Sequence, residues 1–403
     1  MEKHKWRMVR RLLSWRRDED ALRECLHKVK ALEERARSCY SEAIDMGSNE
    51  FVEMMVLDGC FIIGLLLLPW SEDAWVVWEG QKDEEELHNS SYTSVLVGHD
   101  LLKVENQMPF FVVEALFDLL VLQSDNGPSD SIYDLALTLL DRWNPSNDFN
   151  YVKKTPKVHH HLLHIFHDLL AQNENSTVQC NLIIDGFLKI KNKIEDLLLQ
   201  VHNALPSFLR RSKASEGRKK KWTLGWIKCA TELQESGVKF VEKRSCSFLN
   251  VTFEDGVLEF PVLCIFDETV IHFRNLIAFE QLYPNAGNHI TFYAVLMDFL
   301  IDTRRDVNVL HREGVLQIGL SSEKDVAQFF NSLCKEVIYD SSQNKLFIDL
   351  NRYCNSKWHR WRTVLARDYF GSPWAAISVL AAFVLLLLTL LQTVYTMYSY
   401  YHS

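Results

Sequence analysis

A run of 21 residues without a single charge, Trp374 to Val394 (WAAISVLAAFVLLLLTLLQTV), limits what this chain can become more than any other feature. At 1.5 Å rise per residue, a helix of that length matches a hydrocarbon core of roughly 30 Å, so the expectation is one membrane-spanning helix over 374–394. Trp374 at one end and Tyr395, Tyr398, Tyr400 and Tyr401 at the other suit the aromatic belts of a bilayer interface. Lys357, Arg360, Arg362 and Arg367 precede the run, whereas the nine residues after Val394 carry no Lys or Arg. By the positive-inside bias the large N-terminal part faces the cytosol. The expected arrangement is a single-pass tail anchor in the plasma membrane or an endomembrane. It has a juxtamembrane linker over 356–373 and a short tail over 395–403, and the lipid bilayer is its first partner.

A second apolar stretch, Phe51 to Leu68, is interrupted by Glu53, Asp58, Gly59 and Gly64. A central Asp costs about 2.5 to 3.5 kcal/mol on insertion scales, so this stretch is expected as a buried helix, not a span.

The remainder must fold in water. With 47% hydrophobic and 24% charged residues it can bury one large core or two modest ones. A net charge of -9 argues against nucleic acid as a partner, because neutralising phosphates takes clustered surplus Lys and Arg. Nine cysteines without a C-x-x-C pair suit reduced thiols in a cytosolic domain and make structural zinc unexpected. No cofactor motif is present. The sequons at Asn89, Asn175 and Asn250 are about as many as chance supplies.

Apolar positions at Leu22, Leu26, Val29, Leu32, Ala36, Tyr40 and Ala43 follow three- and four-residue spacing, one face of a helix. Phe187, Ile190, Ile194, Leu197 and Val201 repeat it, as do Val326, Phe330, Leu333 and Val337 after the capping-box pattern of Ser322 to Asp325. One segment differs: Phe248 to Phe253, then Glu254-Asp255-Gly256, then Val257 to Ile265 alternate around an Asp-Gly turn, which predicts a β-hairpin. Pro261 confines its second strand to an edge or a bulge. The fold class is therefore mainly α: a helical globular domain over 1–355 with a small β-hairpin, followed by the C-terminal transmembrane helix. Loops are expected at 71–94 and 209–221. The basic part of the latter, 210–221, could divide subdomains 1–209 and 222–355. Near an anionic leaflet each basic residue of Lys219-Lys220-Lys221 is worth about 1 kcal/mol of surface attraction.

Several strings then acquire a common meaning. They are EKHKWR (2–7), CYSE (39–42), DGCFI (58–62), DLLKVENQMPFFVVEALF (100–117), HLLHIF (161–166), ATEL with GVKF (230–240), RNLIAFEQ (274–281) and LMDFLIDT (296–303). In this order, over nearly the whole chain, they resemble the plant family known as domain of unknown function 247. That resemblance implies a flowering-plant source and a soluble helical domain ending in one membrane helix. It also brings a link, through some grass members, to self-incompatibility recognition. Family members usually carry a Val-Pro and a Ser-Ile-Gly-Pro-Tyr-His segment ahead of the HKWR string, so this chain is N-terminally short relative to them.

The family strings single out Glu105, Asn106, Gln107 and Pro109, and Arg274, Asn275, Glu280 and Gln281. Pro109 suits a first helical turn, with Glu105, Asn106 and Gln107 placed to cap the helix that buries Phe111, Val112, Leu116 and Phe117. Glu105 and Arg274 are read as architectural. Five histidines, His159, His160, His161, His164 and His167, crowd one stretch. His160 and His164 have metal-chelating i, i+4 spacing, but no H-E-x-x-H pattern exists, and the expectation is a partly exposed face titrating near pH 6.5. The expected function is a membrane-anchored interaction or recognition protein with a protein partner and no catalytic residue. The alternatives are a hydrolase or transferase using Glu105 and Glu280, with Asp267 or Glu268, and a structural scaffold.

Overall fold

The computed structural model describes residues 2–16, 20–67, 98–122, 128–146, 158–172, 227–245, 247–339, 344–355, 377–378, 381–382 and 384–393. Helices dominate. α1 (Glu2–Arg16), α2 (Ala21–Arg37) and α4 (Phe110–Phe117) pack around α3 (Ser48–Leu66). Buried residues lie on every side of α3, including Phe51, Met55, Cys60 and Ile63, as expected of a core helix that is apolar all round. Its Asp58 pairs with Lys5 of α1. Gly64 lets α1 approach closely, since a Cβ there would stand 2.3 Å from Met8 Sδ.

α5 (Ile132–Leu140) and α6 (Leu162–Gln172) connect this group to a second one: α8 (Asp267–Leu282), α9 (His289–Leu300), α10 (Arg304–Arg312) and α11 (Glu323–Leu333), flanked by α7 (Ala230–Glu235) and α12 (Lys345–Cys354). A contiguous hydrophobic core runs from Met8 through Phe166 and Tyr293 to Leu350. Ser322 caps α11 by accepting the Asp325 N–H at 3.3 Å while its hydroxyl donates to Asp325 at 2.8 Å, as the sequence pattern implied. α11 stops at Leu333 and α2 at Arg37, so Val337, Tyr40 and Ala43 fall outside the helices that periodicity extended through them.

The hairpin is present but smaller than expected. β2 (Thr252–Glu254) pairs antiparallel with β3 (Val257–Phe260) across Asp255 and Gly256, whose φ values of 47° and 84° belong to a two-residue primed turn. Two features escaped the local pattern. β1 (Lys239–Glu242) pairs parallel with β3, so β3 is the central strand and not the expected edge, and Pro261, lacking an N–H, falls just past its end. The chain beyond Pro261 forms β4 (Leu263–Ile265), which pairs parallel with β5 (Leu316–Ile318) in a separate sheet.

Among the described residues, no helix is long and apolar enough to cross a membrane. Of the expected span 374–394, residues 377–378, 381–382 and 384–393 are described, and they are helical and exposed. Trp374, Arg360, Arg362 and Arg367 lie outside the described residues, as do Phe187 to Val201 and both expected loops, 71–94 and 209–221. The seven described cysteines are free thiols.

Candidate functional site

Among the described residues, a cluster of buried polar groups forms where α6, α8 and α9 meet. On α8, Phe273, Leu276, Ile277 and Glu280 recur at helical spacing and are all buried, so Glu280 takes a position meant for an apolar residue and is 2% exposed. Its oxygens are fully used. Oε1 accepts from His167 Nε2 at 2.7 Å and the Ile290 N–H at 3.0 Å; Oε2 accepts from the Thr291 N–H at 2.8 Å and the Thr291 hydroxyl at 2.5 Å. Ile290 and Thr291 open α9, whose first N–H groups have no partner within their own helix. Glu280 is thus a helix cap supplied by a neighbouring helix, and charge-assisted bonds of this kind are stronger than neutral ones.

His167 is fully buried on α6. Burial pulls its pKa down, but the neighbouring carboxylates, Asp168 first and then Glu280, outweigh that and raise it above the ordinary histidine value. Asp168 Oδ1 stands 3.9 Å from His167 Nδ1, too far for a hydrogen bond, so it acts on that ring through its charge. Asp168 Oδ2 lies 3.1 Å from His159 Nε2, and Tyr133 stacks on that imidazole at 5.0 Å.

The remaining histidines behave differently. His164 packs against Phe279 and Tyr283, and His161 against Phe279. Burial, with the neighbouring imidazoles, pushes both down to about 4. The expected partly exposed face is therefore corrected: His159, His164 and His167 are buried, because Leu162, Leu163, Ile165, Phe166, Leu169 and Leu170 also go inward and leave Asp168 as the polar exit. That nearly unbroken apolar run was the available signal. Among the described residues no group of three or more His, Cys, Asp or Glu is arranged to hold a metal ion.

The other singled-out residues are dispersed. Glu105 is exposed in a short 3-10 turn, Val104–Asn106, beside a cleft of about 370 Å³ that Lys5, Asp58 and Asp100 also line and Glu280 does not. Asn106 donates to the Asp100 carbonyl at 2.9 Å. Gln107 does cap a helix, but a different one: its Oε1 accepts the Leu163 N–H at the start of α6 at 3.0 Å, while its Nε2 holds the Leu101 and Lys103 carbonyls. Pro109 is the residue just before α4. Asn275 ties α8 to the same turn, accepting the Val104 N–H at 3.0 Å. Arg274 and Gln281 are exposed; Arg274 reaches Ser332 at 3.4 Å and Gln281 accepts the Ile338 N–H at 3.3 Å. Asp267 lies 13 residues before Glu280 on the same helix, about 20 Å away along its axis.

What α6, α8 and α9 define is a helical protein with a buried histidine–carboxylate pin at its centre. The chain belongs to the plant family DUF247, described as plant protein of unknown function, which matches residues 1–388. Two Arabidopsis thaliana proteins are similar to it. UPF0481 protein At3g47200 is 27% identical, with 99% of this chain and 79% of the relative covered. Putative UPF0481 protein At3g02645 is 24% identical, with 97% and 82% covered. No solved structure matches.

Proposed function

We propose that the chain is a membrane-held interaction protein, its helical domain fixed at the cytosolic face by the C-terminal apolar segment and working by binding a partner. The observation that carries this is the helical stretch 384–393. Its six leucines, Leu385 to Leu388, Leu390 and Leu391, are each between 45% and 64% exposed. On insertion scales each Leu favours the bilayer by about 0.3 to 0.6 kcal/mol, whereas in water such a surface is an association liability. The two hydroxyls in it are satisfied within the helix, Thr389 donating to the Leu385 carbonyl and Thr393 to the Thr389 carbonyl, both at 2.8 Å. That is what hydrocarbon demands of a polar group. The family match reaches residue 388 and so includes half of this stretch.

Binding is favoured over hydrolysis or group transfer because the one carboxylate in the family strings that has a buried, titratable partner, Glu280, has no free oxygen to offer a substrate. In that setting signalling or self-incompatibility recognition is the class of role the family resemblance suggests. Removing residues 372–403 should release the protein from membranes at alkaline carbonate pH. Protease added to intact vesicles should digest the domain of the full chain. A truncated chain that still pellets, or a domain that survives protease, would defeat the proposal.

A further inference from the structure

α1 and α2 both lie along α3 but barely touch each other. Between them runs a groove of about 500 Å³ whose floor is α3. Val9, Val52 and Val56 form its bottom, and half-buried Trp6, Leu22, Leu26 and Leu57 form its walls. On α3 the residues that line it, Asn49, Val52, Glu53, Val56 and Leu57, follow i, i+3, i+4, i+7, i+8 spacing, the stripe a helix presents to another helix lying along it. Val52 and Val56 are themselves only 5% and 2% exposed, so the apolar surface open to a partner is that of Trp6, Leu22, Leu26 and Leu57 above them.

The rims differ in charge. The α2 rim carries Arg23, His27 and Lys30 at i, i+4 and i+7, all exposed, with Lys30 paired to Glu33 at 2.9 Å and Arg23 the cation nearest to free. The α3 rim offers only Asn49 and Glu53. Arg23 pairs with Asp20 at 3.3 Å, but both side chains are solvated, at 85% and 67% exposure, so the guanidinium is available to a better partner.

We propose that this groove is a docking site for one amphipathic helix of a partner protein, its apolar face on Leu22, Leu26 and Leu57 and its carboxylates along the α2 rim. Such a helix completes a four-helix arrangement around α3. A cationic amphipathic helix is rejected by the same rim. This rests on the reading that the chain works by binding, and it names the surface and the chemistry of the partner.

The test uses the full chain in nanodiscs and a labelled 18-residue helical peptide with Leu at i, i+3, i+4 and i+7 repeats, Glu along one flank and Gln along the other. Fluorescence anisotropy should show binding at least tenfold tighter than for the same peptide with Lys in place of Glu. Arg23→Glu, at an exposed site, should abolish that preference with unchanged circular dichroism. Leu26→Glu should weaken binding about tenfold with unchanged circular dichroism. Equal binding of the Glu and Lys peptides, equal retention by empty discs, or wild-type affinity in both variants would overturn the proposal. So would loss of self-association in Leu26→Glu, which would make the occupant a second copy. If the peptides fail while the chain still pellets with membranes, the groove is removed and the anchored reading stands.

Discussion

Glu280 and Asp306 perform the same task with different chemistry. Each is a buried carboxylate that accepts four hydrogen bonds and caps the N-terminus of a helix other than its own. Asp306 Oδ1 accepts from the Thr231 N–H at 2.9 Å and the Thr231 hydroxyl at 2.7 Å, closing the start of α7; its Oδ2 closes a capping box on its own helix α10 through Thr303, at 2.9 and 2.8 Å. Every one of its donors is neutral. Burial raises its pKa, but these four bonds outweigh that and hold it below the ordinary carboxylate range. Glu280 replaces one neutral donor by His167, and that exchange puts a titratable donor, its pKa raised above the ordinary histidine value, into the site. Donor count is therefore not what distinguishes two buried caps; whether one donor can lose its proton is.

The largest expected effect comes from Glu280→Ala. It strands His167 beside two unpaired helical N–H groups, and breaking a buried ion pair costs about 3 to 5 kcal/mol. In a domain with roughly 5 to 15 kcal/mol of total stability, the melting temperature and the yield of folded full chain should fall together. Asp306→Ala should cost less, about 2 to 3 kcal/mol, because no opposite charge is left behind. Equal losses on denaturant unfolding would mean that the histidine adds nothing to the cap. Glu105→Ala and Arg274→Ala should come last, within about 0.5 kcal/mol of wild type, since both side chains are exposed. A large loss in either would restore the architectural weight that their place in the family strings suggested.

The two sites also divide the pH scale. For His167 the folded pKa is raised, so its contribution is complete below the ordinary histidine value near 6.5 and is lost as pH rises through the folded value. For Asp306 the folded pKa is lowered, so its contribution is present above about 3.9 and is lost only as pH falls through the folded value. His161 and His164, held at about 4, oppose His167: unfolding takes up protons between about 4 and 6.5, so they lower stability as pH falls through that window. Stability measured by unfolding should therefore peak near pH 6.5, and a flat profile from 5 to 8 would separate the cluster from the fold.

Some local signals in the sequence reached their targets. The Ser322 capping box, the Asp255-Gly256 turn and the burial of α3 all follow from residues within one or two turns of each other. The site did not follow, because its members meet only on folding: His167 and Glu280 are 113 positions apart, and Glu280 and Thr291 belong to different helices. A glutamate at a core position of an amphipathic pattern was the one local sign, and it is ambiguous until its donors are known. The parallel β1–β3 pairing failed to show for the same reason, since parallel partners share no turn. Gln107 shows the intermediate case: its capping role was legible, but its helix was not.

That His167 holds Glu280 as a structural pin is tested most directly by unfolding the full chain and its Glu280→Ala and Asp306→Ala variants between pH 6.5 and 9. Wild type and Asp306→Ala should both lose stability with rising pH, while Glu280→Ala, which keeps Asp168 beside His167, loses less, so that the gap between it and wild type narrows. Parallel wild-type and Glu280→Ala curves across that range would contradict the account.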